Sequence, residues 1–135
     1  MKDQDYRLHF DAKHRILHIA FGKRVTKDSY MAAYDAAKHV VAARGPCSLI
    51  ADFSAVEKFD LSTDFLREIG TMEPAVPAGM GRIVVAPQPV VYGSSRIVET
   101  LRSETIAAIK VVRTLDEAFA AFSTHASEFV AVDVD

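Results

Sequence analysis

The chain is poor in the features that usually declare a chemistry. Among its 135 residues there is one cysteine, Cys47. A single thiol excludes an internal disulfide and a cysteine-rich zinc site. Positive charge is not in excess: 16 Lys and Arg stand against 18 Asp and Glu, scattered along the chain, for a net charge of −2. That pattern offers no broad basic face and no reason to propose nucleic acid as a partner. No apolar run approaches the ~20 residues of a membrane span, and the opening MKDQDYRLHF is too polar for a signal sequence. Internal repeats and low-complexity segments are absent as well. A soluble, cytoplasmic protein is therefore expected, folded as a single domain over 1–135.

What is present is periodicity. YRLHF at 6–10 alternates, with Tyr6, Leu8 and Phe10 opposite Arg7 and His9. RILHIAF at 15–21 alternates again, and the polar DAKH between the two predicts an antiparallel hairpin. Thr26 suits an N-cap. Tyr30, Tyr34, Ala37 and Val41 recur at helical spacing, and Gly45-Pro46 is a stop signal, so the first helix is expected over roughly 27–44. CSLIADF at 47–53 is a short continuous apolar run, suited to a buried central strand. Phe65, Leu66, Ile69 and Met72 predict a second helix opening close to Ser62. EPAVPAGMG reads as a loop, and RIVVA at 82–86 as the next buried strand, stopped by Pro87 and Pro89.

A third helix is expected over about 91–104, with Ile97, Leu101 and Glu104 beside Val98 and Thr105 on its amphipathic face. IKVVR at 109–113 follows as a strand. Thr114 and Glu117 have the spacing of a capping box, with Leu115, Phe119 and Phe122 facing the core behind it. The tail FVAVDVD, 129–135, alternates and reads as a loose end or an edge strand. The resulting order, β-β-α-β-α-β-α-β-α, implies an α/β fold: a mixed, mostly parallel sheet packed by helices, with the N-terminal hairpin at its edge.

Local motifs for catalysis are scarce. Asp52 closes a central strand, where receiver domains are phosphorylated, but no acidic pair follows Phe21 and Lys110 lies inside its strand. Its simpler role is to close the strand and cap the following turn. GMGRIV precedes a strand instead of following one, so it is no phosphate cradle, and YGSSR lacks the second glycine of a nucleophile elbow. His9 and His18 share one face of the hairpin, near Arg7, as solvated or half-buried positions; a metal pair there would need Asp11 or His14 as a third ligand. No triad, carboxylate dyad or cofactor box is evident, so neither a cofactor nor a metal is expected.

LIADFSAVEKFDLSTDFL, residues 49–66, resembles the signature segment of STAS domains, the fold of the sporulation anti-sigma-factor antagonists, whose usual form is L-I-L-D-L-S-x-V-x-x-[FLM]-D-S-S-G-L. Asp52 matches the strand-end aspartate, Phe53-Ser54 the Leu-Ser, Val56 the valine and Asp60 the aspartate of D-S-S-G. Ser62 falls where the regulatory antagonists carry their phosphorylated serine. Leu61 and Thr63 depart from the pattern, replacing the first serine and the glycine. The C-terminal half looks like a small bacterial branch related to STAS and to CRAL-TRIO lipid carriers, whose P-x-x-x-Y-G-x-x-R pattern falls loosely on Pro87 to Arg96; Ser94 and Ser95 stand where apolar residues belong. The resemblance implies a STAS-like fold without catalysis.

Three roles for Ser62 follow: an N-cap, a phosphosite stabilised by the helix N-terminus but crowded by Asp60, Asp64 and Glu57, or a contact surface. The leading functional expectation is a non-catalytic, STAS-like interaction or regulatory module. Its face of Ser62, Asp60, Thr63, Phe65 and Leu66, or its sheet edge, would meet a protein partner or a second copy of the chain. The alternative is a small carrier of an apolar or lipid-like ligand. Its pocket would involve Phe59, Met80, Val91 and Tyr92, with Arg96 holding an acidic head group. An enzyme would instead need polar groups converging near Asp52, Pro87 and Arg113.

Overall fold

A computed structural model describes residues 5–77, 80–102 and 109–132. The two alternating runs pair as strands β1 (Tyr6–Asp11) and β2 (Ile16–Phe21), antiparallel, with His9 opposite His18. The turn between them places Arg15 in the left-handed region, at φ 57°. A three-residue strand β3 (Arg24–Thr26) leads into helix α1 (Lys27–Arg44), whose expected bounds are met. Thr26 caps it, accepting from Ser29 N–H while the Ser29 hydroxyl accepts from Thr26 N–H, so two otherwise orphaned donors are satisfied.

Strand β4 (Ser48–Asp52) pairs in parallel with β2, and a second three-residue strand, β5 (Lys58–Asp60), pairs in parallel with β3. Helix α2 (Thr63–Thr71), strand β6 (Arg82–Val85), helix α3 (Pro89–Arg102), strand β7 (Lys110–Val112), helix α4 (Leu115–Ala121), a 3-10 turn (Ala126–Glu128) and strand β8 (Val130–Ala131) complete the described chain. The main sheet has six strands in the order β7-β6-β4-β2-β1-β8, parallel from β2 to β7. The protein is thus α/β, a mixed, mostly parallel sheet packed by helices.

Crossovers of constant hand that always advance the same way across a sheet keep their helices on one face. Helices α1, α2 and α3 do so. Leu8, Phe10, Leu17, Ile19 and Phe21 point to that face and pack against Ala33, Ala36, Ala37 and Val40 of α1. On the opposite face, Ile16, Ile50, Ile83, Val85 and Val112 are covered by Ala118 and Phe119 of α4.

Several expectations need correction. The hairpin is not the sheet edge: β8 pairs antiparallel with β1, Phe10 opposite Val130, so the tail forms the outer strand. Residues 133–135 of that tail, and 103–108 at the expected end of α3, lie outside the described residues. Pro89 opens α3 instead of stopping the chain before it, because its missing N–H and fixed φ suit a first turn. The buried face of α1 is Ser29, Ala33, Ala36, Ala37 and Val40, not the tyrosine stripe. Alanines let the helix approach the sheet closely, which leaves Tyr30 and Tyr34 half-buried to one side. On α3 the inward residues are Val91, Ser95 and Val98; Ile97 and Leu101 are exposed. The expected capping box of α4 forms by half: the Thr114 hydroxyl oxygen accepts from Glu117 N–H at 3.2 Å, but the Glu117 carboxylate accepts from the Thr114 hydroxyl at 3.1 Å and not from a backbone N–H.

Candidate functional site

The tyrosine stripe displaced from the core lines a cavity. It lies between the sheet and helices α1, α2 and α3, with a volume of about 120 Å³. Tyr30, Tyr34, Phe53 and Phe59 form the aromatic part of its wall. Phe59 meets Phe53 edge-on at 5.9 Å, and from behind the wall Phe21 stacks on Phe53 at 4.5 Å and Phe65 meets Tyr30 edge-on at 5.7 Å. Ala51 of β4 forms part of the floor, and its short side chain leaves the space open. Ile69 of α2 and Val98 of α3 close the far side. These two helices approach closely because Gly70 has no side chain: a Cβ there would stand 2.6 Å from Leu101 Cδ1.

Polar groups in the lining are few. The Arg82 guanidinium, buried at the start of β6, donates to the carbonyls of Val76 and Pro77 at 2.8 Å each and so pins the loop after α2. Tyr34 Oη donates to the Glu73 carbonyl and ties α1 to the same loop. Ser95 sits on the inward face of α3 and is only 8% exposed. The serine that looked misplaced in the sequence is the hydroxyl that α3 contributes to an otherwise apolar space.

Of the residues expected to form a ligand pocket, only Phe59 lines this cavity. Val91 is 2% exposed and packs in the main core, and Met80 packs half-buried against that core. Tyr92 is half-buried at the margin of that core, and Arg96 is exposed. Arg113 lies over the Tyr92 ring at 4.1 Å, Arg96 donates to Tyr92 Oη at 3.3 Å, and Arg96 pairs with Glu99 at 2.6 Å. Those contacts form a surface cluster, not a pocket for a head group.

Ser62 is the N-cap of α2, and its hydroxyl oxygen accepts from Phe65 N–H at 3.1 Å. It is exposed, as are Thr63 and Asp60; Asp60 pairs with Arg24 across β3 and β5 at 3.0 Å. Phe65 and Leu66, expected on the same contact face, are each 5% exposed and pack against Ile69 and Val98. A side chain three or four positions past an N-cap turns toward the core when the helix lies on a sheet, so only Asp60, Ser62 and Thr63 remain as surface.

A second polar group lies on the α4 face. Asp52 closes its strand and caps the next turn as expected, accepting from Ser54 N–H at 2.9 Å and from the Ser54 hydroxyl. Its other oxygen meets His18 Nε2 at 2.9 Å. Burial alone would raise the Asp52 carboxyl; the hydrogen bonds from His18 and Ser54 outweigh it and hold the group below the usual carboxylate range. His18 is buried, not solvated, with Phe119 and Phe129 edge-on at 6.1 and 5.8 Å. His9 faces it at 5.5 Å between ring centres, and burial, then the charges of His18 and Arg7, lower its pKa. The sequence signal was there: β2 is apolar on both faces, and a histidine in such a strand requires a partner. Arg113 lies over the Tyr92 ring, and the bonds of the Asp52 carboxylate go to His18 and Ser54.

Fold and site together define an α/β protein with a half-open apolar pocket between its sheet and three crossover helices. Compared with protein families, with curated proteins and with solved structures, the chain finds no match in any of the three.

Proposed function

We propose that the protein is a non-catalytic binder of a small apolar molecule, held in the cavity between the sheet and helices α1 to α3. The observation that carries this reading is the space itself: about 120 Å³, walled by aromatic and aliphatic side chains, with Ser95 set into it. A dry apolar cavity of about 150 Å³ holds benzene, so this one suits a ligand of similar girth, with a hydroxyl or carbonyl for Ser95. An NMR titration with small aromatic and short aliphatic alcohols and ketones tests it. Saturable shifts at Ala51, Ile69 and Val98 are expected; uniform or unsaturable shifts across that set would overturn the reading.

A second reading is a STAS-like interaction module, in which the exposed turn of Asp60, Ser62 and Thr63 meets a protein partner or kinase, or the edge at β8 joins a second copy. Its support is the position of Ser62 at the mouth of α2 and the sequential strand order from β1 to β7. Ser62→Asn keeps an N-cap but cannot be phosphorylated. Phosphate incorporation in native host extract that vanishes in Ser62→Asn would favour this reading; no incorporation, together with a strict monomer by light scattering, would remove it.

A further inference from the structure

We infer that Asp11, His14 and Glu128 form a binding site for a divalent transition-metal ion, independent of the cavity. One ligand atom from each lies within 4.8 Å of the other two. Asp11 ends β1 and His14 sits in the hairpin turn; Glu128 ends the 3-10 turn more than a hundred residues later. Tetrahedral ligands on one zinc ion stand roughly 3.3 Å apart, so small side-chain rotations bring the three to coordination.

Two features of the cluster call for a cation. Asp11 is 0% exposed, and its carboxylate is held in place by the Thr124 hydroxyl, which donates to it at 2.6 Å, and by His14 N–H, which donates at 3.0 Å. The half-buried Glu128 carboxylate, by contrast, makes no hydrogen bond or ion pair among the described residues, although it stands beside this second negative charge. Like charges that close repel unless a positive charge lies between them. His14 Nδ1 approaches Asp11 Oδ2 at 2.8 Å; on metal binding the ring would coordinate as neutral imidazole, its proton on Nε2. The Thr124 hydroxyl would orient Asp11 from outside the coordination shell.

The donor set selects the ion. Two carboxylates neutralise a 2+ charge, and an imidazole nitrogen favours zinc and its first-row neighbours over magnesium or calcium. Such an ion would clip the hairpin turn to the segment that carries Phe129 over His18 and supplies strand β8. The metal pair that the sequence suggested, His9 with His18, is not part of this cluster; Glu128 takes its place from a distant segment that only the fold brings near.

The test uses the full chain, untagged and stripped with chelator, titrated with zinc chloride in a calorimeter. One saturable equivalent is expected, with a higher melting temperature in zinc and no effect of magnesium. His14→Gln and Glu128→Gln should each weaken zinc binding at least about tenfold. Metal-free Glu128→Gln should melt no lower than the parent, because it loses only a repelling charge, which separates loss of the site from loss of the fold. Absence of one-equivalent binding, or binding that both variants leave unchanged, overturns the proposal.

Discussion

Replacing Ala51 by Leu tests the cavity by filling it. Ala51 lies on the central strand β4 and faces the 120 Å³ space, so a longer side chain enters it directly. Three added carbon groups contribute about 2.4 kcal/mol at ~0.8 each, less ~0.5–1 kcal/mol of lost rotamer freedom. Ala51→Leu should therefore stabilise the ligand-free protein by about 1.5 kcal/mol, read from urea denaturation as a higher midpoint at unchanged slope. The same change should abolish the NMR response to small apolar ligands. A loss of more than about 1 kcal/mol would mean the added carbons overpack a filled interior, and the reasoning from the cavity would fail.

Gly70→Ala, ordinarily worth up to ~1 kcal/mol in a helix, should instead destabilise by roughly 1–3 kcal/mol because α2 must move off Leu101, whose Cδ1 and Cβ would stand 2.6 and 2.9 Å from the added carbon; Leu101→Ala in the same chain removes the first contact but not the second, and should recover only part of the loss in thermal melts. Ser62→Ala should cost about 1 kcal/mol and Ser62→Asn almost nothing, as expected of a cap measured by urea unfolding. The depressed Asp52 carboxyl implies that the unfolded chain binds more protons near pH 4. Its stabilising contribution is present above the ordinary carboxylate pKa and is lost as pH falls through the folded value. Urea midpoints of the parent should accordingly fall more steeply than those of Asp52→Asn below about pH 5; parallel curves would refute the assignment of that charge to the His18 pair.

Signals carried by a few adjacent residues were legible in the sequence. Thr26 and Gly45 bounded α1, Ser62 marked the mouth of α2, and alternation through Phe10 and Phe21 gave the hairpin. What depended on register was not. The parallel pairing of β2 with β4 sets His18 opposite Ile50, within reach of Asp52, and nothing near either residue encodes it. Strands β3 and β5 are three residues each, too short for a period to show. The expected pocket was Phe59, Met80, Val91, Tyr92 and Arg96, of which only Phe59 takes part, whereas the cavity draws on α1, β4, α2 and α3 and owes its space to Ala51, a residue that looks unremarkable in a strand. Helix rotation was misjudged too: one step of about 100° separates Tyr30 from the buried Ser29 on α1, and Ile97 from the buried Val98 on α3.

The most direct measurement of the central claim is native mass spectrometry of the protein purified, without denaturant, from its own host. A bound apolar species of fixed mass, released on unfolding and missing from Ala51→Leu, is the predicted result. A protein that emerges empty, or one whose adduct survives the filling of the cavity, contradicts it.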